Sequence, residues 1–443
     1  MMRKLKLQMQ IPIDGFVTVL LKNIFIYAAL LLSFPAFCQY EQLPGLIRQA
    51  DSALLQKNYA KFYDFASQAQ TLYPYSSQLL YKLGQAAALT GRPGEAINCL
   101  RKAIVIRVGY DLENNTNLVS MKSRDDFNEL VGYQAELKKS IIHSDTAFII
   151  RDRQLHTEGI TYCKDLKSFF VGSIHKRKIV RIDSSGKEID FTPEGENGMT
   201  AVFGIKADNK RGLLWVCTSP LKEMKDYDST LSSNVMKYDI RTGKHLATYT
   251  APYDYKIYNF GDMILDKAGN GYVSDSRNSI LLTVNDKSKK LEKFFGSAIF
   301  LDIEGIAFSE DEKYLFISDY TKGLFRLDMK TKKLEAIKCN LPAATNGIDG
   351  LYMYKNSLIA IQNGVVPARV TRFFLDGSLQ EIVKFEIIDR DHPAFGEPTL
   401  GVVVGKEFYY IANSQWGGYT EDHQIKQNKD LADIIVLKVN LEK

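Results

Sequence analysis

The chain has 443 residues, 45% hydrophobic and 25% charged, which is too long for one ordinary core and fits folded domains rather than disorder. A formal net charge of +5, with no lysine or arginine block, leaves no electrostatic footprint for nucleic acid. Tyr and Phe, 24 of each, with many short apolar runs, lean toward β structure.

The N-terminus reads as a targeting signal. Arg3, Lys4 and Lys6 make the first residues basic, and an apolar stretch follows from Asn23 to Gln39. This order predicts a signal peptide over 1–38, cut before Gln39, and a periplasmic or secreted mature protein. Lipidation of Cys38 is disfavoured by bulky Phe37, and a retained helix over 16–37 by Lys22 in its middle. Cys99, Cys163, Cys217 and Cys339 form no Cys-x-x-Cys pair. Four buried thiols are the plain reading; one disulfide is compatible with an oxidising compartment.

Residues 40–138 predict a small all-α domain. Leu80, Leu83, Gly84, Ala87, Ala96, Leu100 and Ala103 recur at helical steps, and Thr90-Gly-Arg-Pro-Gly94 breaks the run. Pro93 suits the first turn of a new helix. Gly84, Ala87 and Ala96 allow two antiparallel helices to approach closely. This spacing resembles the tetratricopeptide repeat, with a weaker copy ending at Pro74 that carries Ala66 and Ala69. Residues 111–137 add a further helix pair or cap. Such pairs either dock a protein partner or pack on a neighbouring domain.

From Thr146 the pattern changes to short alternating runs separated by turn residues. Six segments begin alike: Glu158-Gly-Ile, Phe203-Gly-Ile, Gly261-Asp-Met, Glu304-Gly-Ile, Asp349-Gly-Leu and Glu397-Pro-Thr. They recur about every 45 residues, the size of a four-stranded blade. Residues 146–443 are therefore expected to form an all-β six-bladed propeller, with Thr146–Arg151 or Asp433–Asn440 completing the last blade. An open solenoid is the structural alternative.

In a propeller the first strand of each blade lines the axis. Glu158, Asp262, Glu304 and Asp349 open such strands, and four carboxylates there repel one another unless a cation sits among them. Hard oxygen ligands suit Ca²⁺, then Mg²⁺, Mn²⁺ or Zn²⁺. Backbone hydrogen bonding is the plain alternative for each acid. Asp275 and Asp319 read as structural acids between strands, and Trp215 and Trp416 as packing residues. His156, two residues before Glu158, reads as a strand histidine or a proton shuttle.

The segments Glu158-Gly-Ile, Asp266-Lys-Ala-Gly-Asn-Gly-Tyr, Glu304-Gly-Ile-Ala-Phe-Ser and Ile348-Asp-Gly-Leu resemble the gluconolactonase and regucalcin (senescence marker protein, LRE-like) family of six-bladed propellers. The resemblance covers about residues 150–440. It implies one axial divalent cation and hydrolysis of lactones or related esters. It implies Glu158 as a ligand and Asp349 as ligand and general base. Two positions depart from the pattern: Glu304 and Gly261 stand where the family carries asparagine. Two functions follow as expectations. One is an extracytoplasmic metal-dependent hydrolase with catalytic Asp349 and metal-binding Glu158, Glu304, Asp349 and Asp262. The other is a non-catalytic propeller platform whose helical repeats dock a protein partner.

Overall fold

Helix signals act first along the chain. The computed structural model describes residues 35–254, 256–285 and 287–442, so the expected signal segment up to residue 34 lies outside the described residues. α1 (Pro35–Leu55) and α2 (Tyr59–Leu72) pack together, and the Asn58 side chain caps α2 by accepting from Lys61 N at 3.2 Å. α3 (Ser77–Leu89) and α4 (Pro93–Ile106) form the second pair, broken where Thr90–Gly94 predicts. A Cβ on Gly84 would lie 2.7 Å from Leu100 Cγ, so these helices meet at a distance that only glycine allows. A 3₁₀ turn (Thr116–Met121) and α5 (Asp125–Leu137) complete the helical segment. No helix among the described residues is long and apolar enough to cross a membrane.

The compact units divide at Tyr73/Pro74, between the two helix pairs. The second pair belongs with the β array because backbone and arginines tie it there. Val108 N donates to Val366 O and Val366 N to Ile106 O, both at 2.9 Å. Ile141 and Arg390 exchange two backbone bonds of 2.9 Å. Arg369 donates to Val105 O near the end of α4, and Arg390 to Glu136 O and Lys139 O at the end of α5. Cations at helix C-termini complement the macrodipole.

The β array has a propeller-like topology. Antiparallel groups of four follow one another: β2 (Ile160–Cys163), β3 (Ser168–Ser173), β4 (Lys178–Ile182), β5 (Glu188–Asp190); then β6 (Ala201–Asp208), β7 (Leu213–Ser219), β8 (Asn234–Asp239), β9 (His245–Thr250). Next come β10 (Phe260–Leu265), β11 (Gly271–Asp275), β12 (Ile280–Asn285), β13 (Lys290–Gly296), and β14 (Ile303–Phe308), β15 (Tyr314–Asp319), β16 (Gly323–Asp328), β17 (Leu334–Ala336). A short β18 (Lys338–Cys339) adds to the group β19 (Gly350–Tyr354), β20 (Ser357–Gln362), β21 (Arg369–Leu375), β22 (Glu381–Arg390). The last sheet joins β23 (Gly401–Val404), β24 (Glu407–Ile411) and β25 (Ile434–Asn440) to β1 (Asp145–Ile150), so strands from both ends of the array share it. A single parallel pair, Lys290 with Thr250, merges two groups into one eight-stranded sheet.

The third strand of a group ends on Asp or Asn whose side chain caps the following hairpin. Asp183, Asp239, Asn285, Asp328 and Asp376 each accept from at least two backbone N–H groups just downstream. Apolar clusters fill the space between neighbouring groups. Val171, Val180 and Ile411, Val436 meet between the first and last, which closes the ring. Cys99, Cys163 and Cys217 are buried and Cys339 is half-buried; these four thiols are unpaired.

First strands touch in the order β2, β6, β10, β14, β19, β23 and back to β2. In four of the six groups their backbones come so close that the glycine after the opening residue is obligatory. A Cβ on Gly159 would strike Phe203 O, on Gly204 Met263 N at 2.9 Å, on Gly305 Asp349 O at 2.6 Å and on Gly350 Thr399 O at 2.8 Å. Each of these neighbours lies at the start of the next inner strand. Gly159→Ala should therefore lower unfolding stability by about 2–3 kcal/mol. Gly377→Ala, with nothing within 4 Å, should leave it within about 0.5 kcal/mol. Urea unfolding of both variants checks the contrast.

Candidate active site

The acid positions are set by the strand starts. In three groups the register between first and second strands slips at the opening motif: between Val202 and Ile205, Phe260 and Met263, and Ile303 and Ile306. Such bulges re-aim a side chain that a regular pleat would place elsewhere. Glu158 and Asp349 stand just ahead of β2 and β19, while Asp262 and Glu304 lie inside β10 and β14. All four converge at one end of the inner strands, where the charge of one raises the carboxyl pKa of another.

Each acid has its own partner. Glu158, 5% exposed, accepts from Ser414 Oγ and Trp416 Nε1. Burial pushes its pKa well above the ordinary carboxylate range and the Asp349 charge adds to this, while the two donors oppose it. Glu304 is hydrogen-bonded to Asp302; burial, then Asp349 and Asp302, hold Glu304 well up. Asp302 is itself raised by burial and by Asp319. Asp349 accepts from Asn363 Nδ2 at 2.7 Å, and Asn363 Oδ1 accepts from Tyr320 OH at 2.9 Å. Burial, with the charges of Glu397, Asp262 and Asp302, pushes Asp349 up to about 7 against the pull of Asn363. Asp262, 1% exposed, pairs with Lys206 Nζ at 3.0 Å and accepts from Met263 N at 2.8 Å. Its Oδ2 has no partner.

The two departures from the family pattern are one linked change. A Cβ on Gly261 would collide with the Glu304 carboxylate. Glu304 therefore occupies the space that a side chain at 261 would need.

A shared cation fails the geometric test as these side chains lie. Oxygen donors of the right hardness are present. Among the described residues, however, no three His, Cys, Asp or Glu side chains stand close enough to hold one ion. Glu158 is turned to Ser414 and Trp416, Glu304 to Asp302 and Asp262 to Lys206.

Trp416 and His156 differ from expectation, whereas Trp215, Asp275 and Asp319 have the structural roles expected of them. Trp416 belongs to the site through Glu158, whereas Trp215 packs in the core against Tyr249 at 5.8 Å. His156 precedes β2 with φ +47 instead of lying in a strand. It is fully buried, its Nδ1 lies 2.6 Å from Tyr419 OH, and its ring stands edge-on to Trp416 at 4.4 Å. Burial and His175 push its pKa down to about 3, so it stays neutral and supports Trp416 rather than shuttling protons. Asp319 accepts from Leu301 N at 2.6 Å and Asp302 N at 3.1 Å, and Asp275 from Asn259 N at 2.9 Å; both fix the loops entering inner strands. Sequence reasoning passed over Ser414, Asn363, Tyr320, Asp302 and Lys206. Only Lys206 carried a signal, as a cation inside an opening motif that is otherwise apolar or acidic.

Two residues beyond each acid, Ile160, Ile264, Ile306 and Leu351, with Val402, line an apolar recess of about 250 Å³, which Lys206 and Tyr352 also border. Lys206 Nζ sits 5.5 Å from the Tyr352 ring centroid.

No protein-family model and no curated protein matches this chain. Solved structures do. A gluconolactonase from Xanthomonas campestris is 11% identical, the match covering 69% of this chain and 98% of that one at a TM-score of 0.45. Regucalcin from Agrobacterium tumefaciens, a calcium-binding protein, is 16% identical over 66% of this chain and 93% of its own, TM-score 0.45. A PQQ-bound aldose sugar dehydrogenase from Streptomyces coelicolor is 13% identical over 68% and 98%, TM-score 0.44. At these scores they assign no activity.

Lys206→Met would leave Asp262 as an uncompensated buried charge and should cost roughly 3–5 kcal/mol. The pair Lys206→Met with Asp262→Asn should recover most of that loss. Thermal or urea unfolding of single and double variants checks the coupling.

Proposed function

We propose that this chain is a hydrolase of lactones or related esters, built on a closed six-bladed propeller and worked by the Asp349 carboxyl group. One observation carries the reading. Asp349 stands among the axial acids, oriented by Asn363 and through it by Tyr320, with its pKa at about 7. A general base works best with a pKa near the operating pH. Asp349 takes a proton from water as the water oxygen attacks the ester carbonyl. The C–O bond to the leaving alkoxide then breaks, and the proton passes from Asp349 to that alkoxide. Glu158, whose carboxyl pKa is raised well above the ordinary range by burial and the Asp349 charge, donates a hydrogen bond to the developing oxyanion, while Glu304 stays bonded to Asp302.

The six-blade count rests on the four-strand groups, with β1 closing the group of β23 to β25, and on the ring of inner-strand contacts. Extracytoplasmic location rests on the basic and apolar N-terminal segment. The repeat-like helix pairs are the proposed docking surface for a protein partner.

A second reading keeps a divalent cation, Ca²⁺ first, held by Glu158, Glu304 and Asp349 with Asp262 nearby. The mutual repulsion of these acids favours it, and the partners each has taken oppose it.

Asp349→Asn should lower kcat/KM on a lactone and aryl-ester panel by about 10²-fold or more. The base acts when deprotonated, so wild-type kcat/KM should rise with pH through about 7. Glu397→Gln removes a charge that raises this pKa and should move that limb to lower pH. Turnover retained after chelation supports the acid–base reading; turnover lost and restored by calcium supports the cation reading.

A further inference from the structure

A second polar site lies away from the axis. Arg369 and Arg390 face each other across β21 and β22 as direct register partners, 4% and 7% exposed. Like charges directly opposite on a sheet repel. Both guanidiniums line a cavity of about 210 Å³ between α5 and this sheet, with Tyr133, Ala343, Gln362 and Thr371. Arg101 of α4 lies outside this lining, its guanidinium 5.6 Å from the Tyr133 ring centroid.

The hydrogen bonds of Arg369 and Arg390 go to the backbone carbonyls of Val105, Glu136 and Lys139, and Arg369 Nε has no acceptor. Two acids stand near Arg390: Glu136, which lines the cavity and pairs with Lys139 Nζ at 2.6 Å, and Asp391, which accepts from Ser140 Oγ at 3.2 Å. Helix C-termini offset only about half a charge each. Two helix ends therefore offset about one of the two buried charges, and Asp391 stands near Arg390, which leaves Arg369 the less compensated of the two. Gln362 and Thr371 are bonded to each other and to Ala344 O and Asn346 O, so they form wall rather than counter-charge.

We propose that this cavity binds a small oxyanion, the phosphate or carboxylate group of a metabolite, held by Arg369 and Arg390. Planar guanidiniums recognise both groups through paired N–H donors. The volume admits a phosphate or a short dicarboxylate. Bound there, the anion would tighten the contact of α4 and α5 with the β array.

Calorimetric titration of the full chain with inorganic phosphate and with succinate, in sodium chloride of matched ionic strength, tests this. Saturable binding of either is expected, and the stronger one names the ligand class. Arg369→Lys and Arg390→Lys should each weaken it at least tenfold, because lysine keeps the charge and loses the paired donors. Circular dichroism checks that both variants keep their fold. No saturable binding of either anion to wild type, or unchanged affinity in both variants, overturns the proposal.

Discussion

Close approach of inner-strand backbones around one axis is the constraint from which the other features follow. Gly159, Gly204, Gly305 and Gly350 each face the start of the next inner strand at distances that exclude a Cβ. The same crowding places the residue beside each glycine near the axis. Where that residue is acidic, in Glu158, Glu304 and Asp349, the carboxyl groups are forced together in a confined space. The glycine pattern and the acid cluster are thus two consequences of one packing requirement.

Clustered buried charge must then be neutralised, because an isolated carboxylate out of water is strongly unfavourable. The protein does this with a different device at each acid. Asp262 has a lysine, Glu304 shares a hydrogen bond with Asp302, Glu158 has a hydroxyl and an indole N–H, and Asp349 has an amide. These unequal environments separate the acids in role. Asp349, with its pKa at about 7, suits proton transfer, while Glu158 and Glu304 are raised well above the ordinary range and suit hydrogen-bond donation. The replacement at Gly261 belongs to the same scheme, since it makes room for the Glu304 carboxylate.

Much of this was legible in the sequence because it is local. The strand starts recur with their glycine, and Pro93 and the Thr90–Gly94 break mark helix ends. The four axial acids were visible because they occupy equivalent places in a repeat. Their partners were not, because Ser414, Trp416, Asn363 and Lys206 come from other groups or from loops without a repeating pattern. Glu158 meets Trp416 across 258 residues of chain, a contact that no periodicity encodes. His156 misled for a related reason: its positive φ takes it out of the strand that its spacing from Glu158 suggested. The division at Tyr73/Pro74 depends on arginines of β21 and β22 reaching helix ends, again a long-range event.

The central claim is that the axial carboxyl groups are neutralised by protons and by Lys206. Infrared difference spectroscopy of the protonated-carboxyl stretch, at neutral pH and with calcium added, tests it most directly. The account predicts a protonated-carboxyl band that Glu304→Gln diminishes and calcium leaves in place. Absence of that band at neutral pH, or its disappearance on adding calcium, would contradict the account.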